Sequence, residues 1–158
     1  SVEYGLFKLK KYKKVVDQLA KWAQTIQLFS WGEPFLNKSF IKMIGYTSQN
    51  PHKIRSVVSA NLNDITDEQI KGMLTSNLGM LGASIDGTTQ EVYEKYRVGG
   101  NLEVVFNNLK SVPKECRCGI IIVISIMYLN RMNNFQLACF LQTQFYFPYL
   151  DFHFVIKK

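Results

Sequence analysis

The sequence of 158 residues contains few cysteines and few prolines, which excludes two classes of protein. Its three cysteines, Cys116, Cys118 and Cys139, are too sparse and odd in number for the disulfide framework of a small secreted domain. Its four prolines exclude a proline-rich, low-complexity chain. Because hydrophobic residues make up 47% of the chain, we expect one folded domain with a sizeable core. The low and odd number of cysteines indicates a reducing compartment.

Segments typical of membrane insertion or secretion are also missing. The longest apolar run, 118–129, would span about 18 Å as a helix, whereas the hydrocarbon layer of a bilayer is about 30 Å thick. This run is typical of a buried helix or a buried strand. No apolar segment near residue 1 is followed by a small-residue cleavage site, so we predict no signal peptide. We expect an intracellular protein, cytoplasmic or cytoplasmic and nuclear, with no transmembrane segment.

Arginine is scarce, and the positive charge is concentrated in the first third of the chain. Only four of the 19 basic residues are arginines. Residues 1–60 carry ten basic and three acidic groups, whereas residues 61–117 carry six basic and eight acidic groups. A one-sided basic field attracts phosphates, anionic lipid or an acidic partner. Because lysine neutralises charge diffusely and reads base edges poorly, this composition disfavours sequence-specific recognition.

Residues 10–29 show the clearest helical periodicity in the sequence. Apolar side chains recur on one face and lysines on the other, which predicts a basic amphipathic helix of about five turns. We predict that its cations bind the phosphates of a nucleic acid, with two further cations as secondary contacts. The predicted nucleic-acid-binding residues are Lys8, Lys10, Lys11, Lys13, Lys14, Lys21, Lys53 and Arg55.

Local start and stop signals predict further helices along the chain. Thr66 and Gln69 form a capping box that starts a helix over 67–81, and Thr88 with Glu91 repeats the pattern. Helices are also predicted over 35–45, 51–61 and 133–145, and after a cap at Asn101. The predicted fold class is all-α: a single compact domain of about seven or eight short helices with an extended, aromatic-rich C-terminal arm.

The C-terminal arm differs from the rest because apolar residues alternate with other residues. This period of two over residues 150–157 predicts an extended strand, which must add to another edge, pack on the helices or reach into a second subunit. We therefore predict a helical domain over 1–147, an arm over 148–158, and a homo-oligomer. The residues predicted to form the oligomer contact are Tyr149, Phe152, Phe154 and Ile156.

No set of residues indicates a reaction, a metal or a cofactor. Helix capping accounts for Asp67 and Glu68, which open the helix over 67–81. Cys116 and Cys118 are separated by one residue, whereas structural zinc uses paired ligands with longer gaps, and the two histidines are far away. We therefore predict no catalytic residue, no cofactor site and no metal site.

These features together predict a non-enzymatic protein that binds nucleic acid and assembles with itself. RNA bound with weak sequence preference is the preferred ligand, through the lysine face. The alternative is a protein–protein or membrane-surface interaction module, whose basic helix binds an acidic partner or anionic lipid.

Overall fold

Five parallel strands form one sheet, and their spatial order equals their order along the chain. The computed structural model describes residues 5–30, 32–87, 89–112, 119–125 and 150–155. The strands are β1 (Thr25–Gln27), β2 (Arg55–Ala60), β3 (Met80–Ser84), β4 (Gly119–Ser125) and β5 (Leu150–Val155). The helices are α1 (Leu9–Leu19), α2 (Phe40–Ser48), α3 (Asp67–Ser76), α4 (Gln90–Tyr96) and α5 (Leu102–Lys110), and a short 3-10 turn spans Pro34–Leu36.

The predicted all-α fold class is wrong, because the chain is an α/β domain with a parallel sheet. Residues 51–61, predicted as a helix, contain β2. There, burial alternates along the strand: Ser56, Val58 and Ala60 are buried, and the residues between them are half-buried. The Asn50–Pro51 signal serves a turn instead, because the backbone N–H of His52 donates to Asn50 Oδ1 at 3.0 Å.

The long basic helix predicted over 10–29 is shorter than expected. α1 ends at Leu19, a turn follows, and Thr25–Gln27 pair with β2 as strand β1. Tyr12 and Val16 of the predicted apolar face are buried, but Trp22 is 85% exposed. The helix therefore ends before β1, and pairing with β2 determines the conformation of Thr25–Gln27.

One face of the sheet is more completely covered than the other at β2 and β3. Right-handed crossovers between neighbouring strands place the connecting helices on the same face of the sheet. Leu81 and Ala83 of β3 are fully buried, whereas Ser59 of β2 and Ser84 of β3 stay half-buried. The Oγ atoms of these two serines lie 3.1 Å apart, so they form one polar pair on the less covered face.

Several helix boundaries are confirmed by their caps. Thr66 and Gln69 form the predicted capping box at the start of α3, which ends at Ser76 rather than at 81. Asn101 caps α5 as predicted. The cap of α4 is Thr89, one residue after the predicted Thr88. These boundaries were predictable because each cap is made within four residues of chain.

The apolar run and the C-terminal arm both contribute strands. Gly119–Ser125 form β4, which settles the choice between helix and strand for the run. Leu150–Val155 form β5, which confirms the predicted extended conformation for these six residues, and its register pairs Phe152 with Ile122 and Phe154 with Ile124. Tyr149, Ile156, the predicted helix over 133–145 and the boundary at 147/148 lie outside the described residues. In the ranges described here, no helix has the length and apolarity to cross a membrane.

Candidate functional site

The loops that follow β1, β2 and β3 meet at the carboxyl edge of the sheet. In barrel-like folds of parallel strands, this edge carries ligand and active sites, because the loops there vary without disturbing the sheet. Glu33 follows β1, Asn61 and Asn63 follow β2, and Asp86 follows β3. The topology thus brings these polar residues, far apart in sequence, to one end of the domain.

Glu33 is the central ionisable group of this edge. Its side chain is half-buried; Oε2 accepts the backbone N–H of Asn61 at 2.8 Å, and Oε1 accepts that of Phe35 at 3.5 Å. Burial raises the pKa of Glu33, and the two backbone donors oppose this effect. The result is a carboxylate with fixed orientation that is poorly compensated by cations, which is the environment that attracts a positively charged ligand.

A groove of about 370 Å³ lies beside Glu33. Glu33 is the one charged side chain among the described residues that line it. Its walls are mainly apolar and aromatic, and they come from the segment before α1, the loop after β1 and the start of α2. The main apolar lining residues are Leu6, Phe7, Tyr12, Phe29, Phe40 and Met43. A groove of this size, apolar with one convergent charge, is typical of a small-molecule site.

Asn63 connects the loop after β2 to the helices behind it. Its Nδ2 donates to the hydroxyl of Tyr93 at 2.6 Å, and its Oδ1 accepts the backbone N–H of Asn101 at 2.8 Å. Tyr93 is completely buried, and burial raises the pKa of its hydroxyl. The hydroxyl therefore stays neutral at physiological pH, where it acts as a hydrogen-bond partner and not as an acid.

Arg97 and Asp86 form an ion pair on the β3 side of this edge. Arg97 Nε lies 2.5 Å from Asp86 Oδ2, and the Asp86 side chain is only 4% exposed. The positive charge of Arg97 lowers the pKa of Glu33, whereas the negative charge of Asp64 raises it. Both charges affect the pKa of Glu33 less strongly than burial does.

None of the six predicted lysines of the first third lines the groove beside Glu33. Lys8, Lys10, Lys11, Lys13, Lys14 and Lys21 are all exposed. Lys11 Nζ lies 5.8 Å from the ring centroid of Phe7, and Lys13 Nζ lies 4.7 Å from that of Tyr46. No ion pair of the six lysines is found within the described part of the chain. Their binding to a polyanion stays a prediction.

The two secondary cations lie at the opposite edge of the sheet. Lys53 and Arg55 are at the amino end of β2, where they line a separate groove with Gly79, and Arg55 Nη2 donates to the Gly79 carbonyl at 3.1 Å. None of the six lysines of the predicted face lines this second groove. Self-association through the arm likewise stays a prediction, although the backbone of 150–155 pairs with β4 of the same chain.

Four residues of this edge were not predicted from the sequence: Glu33, Asn61, Asn63 and Tyr93. One signal was available for Glu33: it is one of three acidic residues in the strongly basic first third, and it stands between Gly32 and Pro34. The prediction of no metal site remains untested for the cysteines, which lie outside the described residues. Within the described ranges, no group of three His, Cys, Asp or Glu side chains could hold a metal ion.

This chain is similar to a known protein family and to one curated protein. The model of the Radical SAM superfamily matches residues 3–134. Fe-coproporphyrin III synthase of Methanosarcina barkeri (strain Fusaro / DSM 804) is 29% identical over 104 residues, which are 65% of this chain and 25% of that protein. The chain thus spans about a quarter of the length of this curated relative.

Two solved structures share the fold. "Native anSMEcpe with bound AdoMet" superposes with a TM-score of 0.69 at 17% identity, covering 98% of this chain and 44% of that one. "Crystal structure of BtrN in complex with AdoMet and 2-DOIA" superposes with a TM-score of 0.55 at 16% identity, covering 78% and 46%. At these identities the likeness shows the fold alone.

These matches overturn the predicted function. A non-enzymatic RNA-binding and assembly protein, or an interaction module built on a basic helix, is wrong, because the family match covers most of the chain and indicates an enzyme. The lysine content led to the error, since a charged solvent-exposed face is compatible with almost any function.

Proposed function

Because this chain belongs to the Radical SAM superfamily, we propose that it serves an AdoMet-dependent radical reaction and binds AdoMet in the groove beside Glu33. The observation that carries this proposal is the single carboxylate of Glu33 in an otherwise apolar groove at the carboxyl edge of a parallel sheet. The bound AdoMet of the related structures supports it, as the ligand of those proteins.

The chemistry of AdoMet matches the groove. AdoMet carries two positive charges, on its sulfonium and its α-ammonium, together with a flat adenine and a polar ribose. A half-buried carboxylate attracts a cation strongly, because little water competes for it. Phe7, Phe29 and Phe40 provide apolar surface for the adenine or for the carbon atoms around the sulfur.

The residues of the edge have distinct roles in this proposal. Glu33 receives a cationic group of AdoMet, and the N–H groups of Asn61 and Phe35 fix the orientation of its carboxylate. The aromatic wall excludes water from the ion pair and thereby strengthens it.

AdoMet, when bound, supplies one-electron chemistry, because its sulfonium can be cleaved by a single electron. An iron–sulfur cluster that delivers such an electron is held by cysteine thiolates. The chain's three cysteines lie outside the described residues, and the described side chains do not provide a cluster site. We therefore assign to the described residues the binding of AdoMet and derive no reduction step from them.

Equilibrium dialysis with labelled AdoMet tests this proposal. We expect the unaltered chain to bind AdoMet and Glu33→Gln to bind it about 30-fold more weakly, as expected for ~2 kcal/mol from one charge-assisted contact. Glu103→Gln is the matched control, because Glu103 is an exposed carboxylate on α5. S-adenosylhomocysteine keeps the α-ammonium but lacks the sulfonium charge. If Glu33→Gln also weakens the binding of this compound, Glu33 contacts the α-ammonium; if it does not, Glu33 contacts the sulfonium. Equal AdoMet affinity of Glu33→Gln and the unaltered chain would refute the proposal.

A further inference from the structure

The turn after β2, Asn61–Asn63, is held in an unusual conformation. Leu62 has a φ of 62°, in the left-handed region that residues other than glycine and asparagine rarely adopt. Its side chain is also buried, so the turn cannot relax into solvent. Such a conformation persists only where surrounding contacts determine it, and it is often found at functional sites.

Contacts from three directions hold this turn. Within it, the backbone N–H of Asn63 donates to Asn61 Oδ1 at 2.8 Å. From α5, Asn108 Nδ2 donates to the Leu62 carbonyl at 2.8 Å. From α4 and its connection to α5, Tyr93 and Asn101 bond both side-chain polar atoms of Asn63. Asn63 therefore attaches the turn to α4 and to the N-cap of α5, and the Asn108–Leu62 bond attaches it to α5 a second time.

The conformation of this turn determines the direction of the Asn61 backbone N–H. It points at Glu33 Oε2, across 2.8 Å and between segments 28 residues apart. We infer that Asn63 is a positioning residue for AdoMet binding: it fixes the Asn61–Asn63 turn on α4 and α5, and the turn orients the Glu33 carboxylate. This inference rests on the proposed function for its ligand, but the orientation of Glu33 can be measured without AdoMet.

A merely structural role for Asn63 makes a different prediction. Loss of packing would lower the stability of the fold and leave the titration of Glu33 as it is. Loss of the positioned N–H would raise the pKa of Glu33, since a hydrogen bond to the carboxylate stabilises its charged form. Arg97 and Asp64 also act on Glu33, but a substitution at Asn63 changes neither charge.

The experiment measures both quantities on the full chain. In Asn63→Ala, the pKa of Glu33, followed by ¹³C NMR of labelled glutamate and assigned with Glu33→Gln, is expected to rise. The AdoMet dissociation constant is expected to increase about tenfold, as for partial loss of a charge-assisted hydrogen bond. Tyr93→Phe keeps the buried ring, removes the partner of Asn63 Nδ2, and is expected to change both quantities in the same direction. Asn107→Ala, an exposed asparagine on α5, is the matched control.

The outcomes separate this inference from the proposed function. If the unaltered chain does not bind AdoMet, the proposed function fails, and the Glu33 titration in Asn63→Ala still decides whether the turn orients the carboxylate. If AdoMet binds and neither Asn63→Ala nor Tyr93→Phe changes the Glu33 pKa or the affinity, the inference is overturned. Should Asn63→Ala not fold, Tyr93→Phe alone decides between these results.

Discussion

Arg97 and Asp86 form an ion pair of unequal partners: Asp86 is almost completely buried, whereas a third of the Arg97 side chain is exposed. Removal of the arginine strands a buried carboxylate, while removal of the carboxylate leaves a cation that can turn toward water. We expect Arg97→Met to lower the free energy of unfolding by about 2–3 kcal/mol and Asp86→Asn by about half as much. Urea denaturation monitored by circular dichroism measures both.

Lys95→Met is the matched control for this asymmetry. Lys95 pairs with Glu91 one helical turn away at 2.9 Å, and both side chains are mostly exposed. Such surface pairs contribute little, so no measurable change in stability is expected. If Arg97→Met and Lys95→Met lowered the free energy of unfolding equally, burial of Asp86 would not make its ion pair more important than a surface pair.

The capping box of α3 leads to a prediction that separates stability from binding. Thr66 accepts from the Gln69 backbone at 3.2 Å, and Gln69 Nε2 also donates to the Phe35 carbonyl at 2.7 Å, next to the Glu33 loop. Thr66→Ala is expected to cost about 1 kcal/mol of stability without changing the AdoMet affinity. Gln69→Ala is expected to cost a similar amount and also to weaken AdoMet binding. Denaturation and dialysis on the same preparations test this difference; equal affinities would contradict it.

The features that the sequence predicted correctly are local ones. The Thr66–Gln69 box and the Asn101 cap depend on residues within one turn, so their signals are complete in a short segment. Strand β2 depends instead on pairing with β1 and β3, and Thr25–Gln27 become a strand only because Arg55–Val57 lie beside them. Propensity over a short window does not contain that information.

The candidate site could not be predicted from the sequence because it also depends on contacts between distant segments. Glu33 acquires its character from Asn61, 28 residues later, and Asn63 from Tyr93, 30 residues later. Apart from the acidic charge of Glu33 in a basic segment, none of these four residues is unusual by type or spacing, and only the return of each strand to the same edge brings them together. The lysines were conspicuous because five of them lie within residues 8–14 of the sequence, and their binding to a polyanion stays a prediction.

The raised pKa of Glu33 predicts a pH-dependent effect on stability. Because burial raises its pKa in the folded state above that in the unfolded chain, its contribution to stability is fully present below the unfolded pKa. It is lost as the pH rises through the folded pKa. At pH 7 the ionised, half-buried carboxylate therefore lowers the free energy of unfolding. The neutral amide of Glu33→Gln does not have this unfavourable effect. We expect this variant to melt at a higher temperature than the unaltered chain at pH 7, with a smaller difference at pH 4. A gain of equal size at both pH values would contradict this account.

Gly87, directly after Asp86, allows a close approach between the carboxyl edge and α4. A Cβ added at this position would lie 2.5 Å from the backbone nitrogen of Tyr93, so the helix or the loop must shift. Gly45, inside α2, has no neighbouring atom within 4 Å of such a Cβ. We expect Gly87→Ala to lose about 1–3 kcal/mol of stability through overpacking, and Gly45→Ala to gain about 0.5–1 kcal/mol through helix propensity.

The same pair of variants also tests the connection between Tyr93 and the site. A shift of α4 moves the Tyr93 hydroxyl away from Asn63 and so loosens the turn that faces Glu33. Gly87→Ala is therefore expected to weaken AdoMet binding by about as much as Tyr93→Phe, whereas Gly45→Ala leaves it unchanged. Calorimetric titration at a temperature where both variants are folded measures this. An affinity of Gly87→Ala equal to that of the unaltered chain would mean that the loop absorbs the displacement without moving Asn63.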